Sequence, residues 1–94
     1  MVENIKTYKV LLSGRVQGVG FRYFTESVAD KYSVKGYVKN SLAGKVEILC
    51  QGEKEEVRTF IDEIGKGPAF SVITGIAKQE VTDNKVYNTF KIKY

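Results

Sequence analysis

A glycine-rich segment followed by an arginine is the part of this sequence best suited to chemistry. Residues 14–21 read Gly-Arg-Val-Gln-Gly-Val-Gly-Phe, and Arg22 comes next. Glycines allow backbone conformations in which successive N–H groups point inward and form a nest that binds anions. A helix is expected to start at Phe21, and positions 18–21 offer no Ser, Thr, Asp or Asn to cap it. Its first N–H groups therefore need another partner.

Arg22 strengthens the case for an anion at this helix start. A cation in the first turn is disfavoured by about 0.3–1 kcal/mol because the helix dipole is positive there, and a bound anion would reverse that cost. The segment is not G-x-G-x-x-G and lacks the Gly-Lys-Ser/Thr ending of a P-loop, so nucleotide binding is not inferred. The sequence predicts an anion site formed by residues 14–22.

The composition excludes several common kinds of active site. The 94 residues include no histidine and one cysteine, Cys50. Ser-His-Asp triads, Cys-His pairs, histidine general bases, intrachain disulfides and paired-cysteine zinc sites are therefore impossible. The formal net charge of +4 favours anionic partners. These could be phosphorylated metabolites, nucleic acid or acidic protein surfaces.

Hydrophobic periodicity predicts five strands and two helices. Tyr8, Val10 and Leu12 alternate with less apolar neighbours, as in a half-buried strand, whereas apolar residues from Phe21 onward recur at helical intervals. A turn at residues 41–44 is expected to join the second and third strands. The predicted strands cover residues 8–14, 36–40, 45–51, 71–81 and 88–94, and the predicted helices residues 21–32 and 53–65.

This order of elements predicts the fold and brings distant residues together. A βαββαβ order with an extra terminal strand is typical of the α+β ferredoxin-like sandwich, with two helices on one face of an antiparallel sheet of four or five strands. In that fold the first two strands run parallel on either side of the third. The C-terminal ends of these two strands then lie at the same end of the sheet, roughly 10 Å apart. The loop before Arg22 and Asn40 should therefore be neighbours.

The length predicts a single domain, residues 1–94, with one hydrophobic core. Cys50 is expected in that core, and so are four phenylalanines. No apolar stretch is long enough to span a bilayer, and the N-terminus lacks the apolar run of a secretory signal. A cytoplasmic location without a membrane partner is therefore expected. The four phenylalanines are Phe21, Phe24, Phe60 and Phe70.

Two segments closely resemble the signature segments of the acylphosphatase family. They are residues 14–22 and residues 36–40, which read Gly-Tyr-Val-Lys-Asn. Tyr37 stands where the family commonly has tryptophan, and Lys93 where arginine is frequent. The resemblance covers nearly the whole chain, because it continues in the same order through Val46-Glu47, Gln51-Gly52, Gly67-Pro68 and Phe90-Lys91-Ile92-Lys93-Tyr94.

The resemblance implies an acylphosphatase, which hydrolyses carboxyl-phosphate anhydrides to a carboxylate and inorganic phosphate with no cofactor and no metal. It implies that Arg22 holds the phosphoryl group and that Asn40 orients the attacking water. The expected partners are a small-molecule acyl phosphate and inorganic phosphate, and a monomer is expected. Backbone N–H groups would surround the phosphate oxygens, and these belong to Val16, Gln17, Gly18, Val19, Gly20 and Phe21.

Other functions remain open for a domain of this fold. RNA-binding domains share the βαββαβ order, and residues 35–38 faintly resemble the start of their aromatic motif. That motif needs further aromatic residues after Tyr37 and belongs on the third strand, so nucleic acid is not an expected partner. A noncatalytic regulatory domain is a second alternative, since a fold does not fix a function. Carbamoyl phosphate, implied by acylphosphatase-like domains inside larger maturation proteins, is an alternative substrate.

Overall fold

Five strands and two helices follow one another in the computed structural model, which describes residues 4–82 and 84–94. The predicted elements are confirmed, with small shifts at their ends. Neither helix in the described residues is long and apolar enough to cross a membrane. The elements are β1 (Ile5–Arg15), α1 (Phe21–Tyr32), β2 (Lys35–Asn40), a 3₁₀ turn (Leu42–Gly44), β3 (Val46–Glu53), α2 (Lys54–Ile64), β4 (Val72–Glu80) and β5 (Phe90–Lys93).

The C-terminal ends of β1 and β2 lie at the same end of the sheet. The strand order is β4-β1-β3-β2-β5, and β3 is antiparallel to both β1 and β2. Val46 on β3 pairs with Leu12 on one side and with Asn40 on the other. Asn40 therefore lies level with Leu12, two strand spacings away, which is roughly 10 Å. The predicted neighbourhood of Asn40 and the loop after β1 is confirmed.

The prediction of an antiparallel sheet is wrong for one pair of strands, because β5 runs parallel to β2. Strand β4 lies at the opposite edge and is antiparallel to β1. The chain leaves β4 at the end of the sheet where β2 begins, crosses to the far edge and enters β5 in the same direction as β2. Gln51 supports this crossing, since its side chain donates to the Lys85 carbonyl at 2.8 Å and accepts from the Tyr87 N–H at 2.9 Å.

The core lies between the sheet and the two helices. Alternate residues of the central strands, such as Val10 and Ile48, are fully buried there. Phe21, Phe60 and Cys50 are in this core, as predicted. The remaining two phenylalanines differ: Phe24 is partly buried against the core, whereas Phe70 is 82% exposed and was wrongly assigned. Phe70 lies between α2 and β4, where no periodic pattern directs a side chain inward.

Gly14, near the end of β1, lies at an irregularity in the pairing of β1 with β4. The pairing between β1 and β4 shifts register between Ser13 and Gly14. Gly14 has a φ of 119°, and a Cβ atom there would overlap the carbonyl oxygen of Val72. Only glycine fits this backbone. Glycine at residue 14 therefore allows β1 to stay paired with β4 as far as Arg15, just before the glycine-rich loop.

One polar cluster joins the two helices. The Tyr32 hydroxyl on α1 donates to Glu63 Oε1 on α2 at 2.6 Å, and Lys31 Nζ lies 3.4 Å from the same oxygen. The hydrogen bond from Tyr32, aided by Lys31, holds the pKa of the Glu63 carboxyl below its usual value. A lowered folded-state pKa stabilises the fold above the unfolded-state pKa of about 4.3, and this contribution disappears as the pH falls through the folded-state value.

The variant Glu63→Gln is therefore expected to unfold at lower urea concentration than the wild type at pH 7. The difference should shrink between about pH 5 and pH 3, because the wild-type carboxyl is then protonated and resembles the amide. Urea titrations at several pH values measure this. Glu55→Gln is the matched control, since the Glu55 carboxylate forms an ion pair with the exposed Arg58 at 3.3 Å. A difference for Glu63→Gln that is constant with pH would contradict the expectation.

Candidate active site

A small cleft opens where the loop after β1 meets the end of β2. Its volume is about 110 Å³. This is well below the roughly 300–1,000 Å³ of sites for drug-sized ligands, so the cleft suits a small group. Six of the eight predicted site residues line it, and Tyr23 is an additional lining residue. The lining residues are Val16, Gly18, Gly20, Phe21, Arg22, Tyr23 and Asn40.

The backbone of the loop supplies donors to this cleft. Gly18 and Gly20 have φ values of 73° and 78°, in the left-handed region that alternates with ordinary conformations in anion-binding nests. Gly20 is the N-cap residue of α1 and has no side chain to cap it. Among the described residues, no hydrogen bond to a protein acceptor uses the N–H groups of residues 16–21. The loop and the start of α1 thus offer N–H groups that can donate hydrogen bonds to an anion.

Arg22 lies in the first turn of α1, as predicted, with no acidic residue in that turn. No ion pair found in the described part of the chain involves its guanidinium. Its Cζ atom lies 4.9 Å from the centroid of the Tyr94 ring, within the range of a cation–π contact. A hydrogen bond with Tyr23 raises the pKa of the Tyr94 hydroxyl. The Arg22 guanidinium therefore packs against the Tyr94 ring, and no ion pair in the described residues occupies it.

Tyr23 and Tyr94 are site residues that sequence reasoning did not identify. Tyr23 is 64% exposed and Tyr94 is 90% exposed. Tyr94 belongs to the alternating pattern that predicted the last strand, but that pattern does not indicate a site, and Tyr94 reaches Arg22 only because β5 lies at the sheet edge next to β2. The adjacency of Tyr23 to Arg22 was the only available signal for its position.

Asn40 is the last residue of β2 and is exposed at the mouth of the cleft. The 3₁₀ turn that follows it is closed by the Ser41 N–H, which donates to the Lys45 carbonyl at 2.7 Å. Asn40 is therefore held between a paired strand and a closed turn. Asn40 lines the same cleft as Arg22, which comes from a different segment of the chain.

The other two predicted residues, Gln17 and Val19, do not line the cleft. Val19 is partly buried and packs against the hydrophobic core. The Gln17 side chain points to the turn after Asn40, where its Nε2 atom donates to the carbonyls of Ser41 at 3.0 Å and Lys45 at 2.8 Å. Only their backbone N–H groups are thus candidates for anion binding.

A larger cleft of about 710 Å³ lies at the opposite end of the sheet. Its buried polar groups are already paired, since Gln51 Nε2 donates to Thr7 Oγ1 at 3.0 Å and to the Lys85 carbonyl. Its charged residues have both signs, as in the Lys6–Glu80 ion pair at 3.3 Å. We assign the candidate site to the smaller cleft, because Arg22 and a loop whose N–H groups lack protein acceptors in the described residues lie there.

Cys50 takes no part in the site. It is fully buried on β3, and burial raises the pKa of its thiol to about 12. A thiol of this kind is not a nucleophile at neutral pH. Within residues 4–82 and 84–94, no group of three or more His, Cys, Asp or Glu side chains could hold a metal ion. The candidate site is thus an arginine, an asparagine and backbone N–H groups.

Comparisons with known proteins agree with the resemblance in residues 14–22 and 36–40. A family model described as Acylphosphatase matches residues 8–92. The acylphosphatase of Bacillus velezensis is 46% identical over 87 residues, which cover 93% of this chain and 97% of the relative. That of Thermotoga maritima is 44% identical over 90 residues, covering 96% and 99%. The crystal structure of acylphosphatase from Bacillus subtilis matches with a TM-score of 0.91 at 39% identity, covering 95% of this chain and 99% of that one. The chain therefore belongs to the acylphosphatase family, the enzymes that hydrolyse acyl phosphates.

Proposed function

We propose that this enzyme hydrolyses a small acyl phosphate in the cleft between residues 16–22 and Asn40. Arg22 and the N–H groups of Val16 to Phe21 hold the phosphoryl group, and Asn40 orients the attacking water. The observation that carries the proposal is the lining of the cleft, where the loop, Arg22 and Asn40 meet although they come from separate segments.

The first role is to hold and stabilise the phosphoryl group. Phosphoryl transfer needs positioning and stabilisation of negative charge on the equatorial oxygens more than it needs covalent help from the protein. A guanidinium offers a planar fork for two of those oxygens, and N–H groups directed into the cleft suit the others. The start of α1 adds the positive end of its dipole. The same donors bind the product, inorganic phosphate.

The second role is to place the water in line with the bond that breaks. The Asn40 carbonyl oxygen can accept a hydrogen bond from water, but a neutral amide cannot remove the proton. We assign that proton to an oxygen of the substrate's own phosphoryl group. The leaving carboxylate has a conjugate-acid pKa of about 4, so it departs at neutral pH without a general acid. The reaction therefore needs no histidine.

Turnover of a simple aromatic acyl phosphate in the presence of a metal chelator tests this proposal. We expect the chelator to leave kcat/KM unchanged within about twofold, because no step uses a metal. Inorganic phosphate should inhibit competitively, since it occupies the same donors. Loss of activity on chelation, or inhibition that is not competitive, would contradict the proposal. Carbamoyl phosphate, tested in parallel, measures how far the site accepts that alternative substrate.

The finer expectations remain proposals. We propose that residues 1–94 act as one domain, as a monomer in the cytoplasm, without a nucleic-acid partner. The environment of Tyr37 supports the last point: its hydroxyl donates to Glu47 at 2.7 Å, and Lys93 Nζ lies 4.2 Å from its ring centroid. A ring with these contacts is a poor platform for a stacked base. A salt-sensitive shift of single-stranded RNA without acyl phosphate turnover would favour the RNA-binding alternative.

A further inference from the structure

The side chain of Gln17 joins the two halves of the candidate site. It leaves the glycine-rich loop and reaches the turn between β2 and β3, where Nε2 donates to the carbonyls of Ser41 and Lys45. These two carbonyls stand at the two ends of the turn. Gln17 itself is partly buried. One amide group thus bridges the loop that precedes Arg22 and the turn that follows Asn40.

We propose that Gln17 is a positioning residue for the hydrolysis, which acts by fixing the separation between Asn40 and the phosphate-holding loop. The inference rests on the proposed function and adds a role that Arg22 and Asn40 do not supply. The loop determines where the phosphorus atom lies, and Asn40 determines where the water lies. Attack along the line of the breaking bond needs both at once, and a misplacement of about 1 Å can cost about a hundredfold in rate.

The sheet links the end of β1 to the end of β2 only indirectly. β3 lies between these two strands, so the link crosses two sets of interstrand hydrogen bonds. Beyond those ends the loop and the turn are no longer paired strands. The Lys45 carbonyl accepts from both the Ser41 N–H and Gln17 Nε2, at 2.7 and 2.8 Å. The Gln17 bridge therefore ends on the same carbonyl that closes the turn.

The chemistry of the bridge requires an amide at residue 17. Both acceptors are carbonyl oxygens, so the side chain must supply two N–H donors at once. Methionine has nearly the same length and shape but donates no hydrogen bond. Glutamate also has this length, but at neutral pH its carboxylate has no donor and would face two carbonyl oxygens. Gln17→Met thus removes the bridge while keeping the bulk, and Gln17→Glu replaces attraction by repulsion.

We expect Gln17→Met to lower kcat about tenfold, while KM and the inhibition constant of inorganic phosphate change by less than about twofold. Gln17→Glu should lower kcat at least as much. Steady-state kinetics with the aromatic acyl phosphate measure these values, and circular dichroism confirms that each variant is folded at the assay temperature. If one variant does not fold, the other still tests the bridge. A variant that folds and keeps kcat within about twofold of the wild type would overturn the inference.

A double-mutant cycle with Asn40→Ala separates this role from general weakening of the site. If Gln17 acts through Asn40, Gln17→Met should cost less than about twofold in kcat when Asn40 is already alanine. A tenfold loss in both backgrounds would overturn the inference while leaving the role of Asn40 intact. Near-normal turnover of Asn40→Ala alone would instead contradict the proposed function, and the positioning role would fall with it.

Discussion

Arg22→Ala is expected to lose both turnover and phosphate binding. Its guanidinium is the one charged group that lines the cleft within the described residues. Arginine residues that stabilise a transferring phosphoryl group contribute about 10³–10⁵ in kcat, so a fall in kcat/KM of about a thousandfold or more should follow. Competitive inhibition by inorganic phosphate should disappear with it. Inhibition kinetics and calorimetric titration with phosphate measure both effects.

Two companion variants make this result specific. Arg22→Lys should recover little activity, because one ammonium cannot reproduce a two-pronged guanidinium contact. Arg15→Ala is the matched control, since Arg15 is an exposed arginine at the end of β1 that does not line the cleft. It removes the same charge from the chain and should keep turnover within about threefold of the wild type. Equal losses for Arg15→Ala and Arg22→Ala would mean that only overall charge matters.

Asn40→Ala is expected to lose turnover but to keep phosphate binding, unlike Arg22→Ala, which should lose both. The loop donors and Arg22 remain, so the inhibition constant of inorganic phosphate should change by less than about threefold. The amide that is proposed to orient the water is gone, and removal of a single oriented polar group costs about 10²–10³ in kcat. Turnover assays together with phosphate inhibition assays measure the split.

Further asparagine variants define what Asn40 contributes. Asn40→Asp places a negative charge at the mouth of the cleft and should weaken phosphate binding as well as turnover, because like charges repel. Asn88→Ala is the matched control, since Asn88 is exposed and does not line the cleft. Near-normal turnover of Asn40→Ala would remove this residue from the mechanism and leave the holding of phosphate as the only confirmed role of the cleft.

The elements with strong periodicity were predictable from the sequence. Helix α2 shows the pattern most clearly, because Val57, Phe60, Ile61 and Ile64 recur at helical spacing and are all buried. The alternation in β1 and β3 likewise directs one side of each strand into the core. Burial of apolar surface dominates folding, and the spacing of apolar residues indicates which face of an element is buried. Phe70 shows where this prediction fails. An apolar residue outside a periodic pattern does not indicate whether its side chain points into the core or to solvent.

The residues of the candidate site could also be predicted from the sequence, because they depend on residue types within short segments. The loop glycines, the uncapped helix start and Arg22 are neighbours in sequence, and Asn40 follows from the strand order of the fold. Non-local contacts that the βαββαβ order does not itself dictate could not be predicted. β5 runs parallel to β2 because the chain crosses the sheet at the end where β2 begins. The same crossing places Tyr94, which follows β5, next to Arg22.

The amino-acid sequence by itself determined the class of fold, the family and the segments that are proposed to bind an anion, because each is encoded in local patterns. The tertiary structure alone decided the direction of β5, the exposure of Phe70 and the aromatic contact of Arg22. It also decided that Gln17 faces the turn after Asn40 rather than the cleft. These features depend on distances between residues far apart in the chain, and side-chain hydrogen bonds form only once the sheet has brought those residues together.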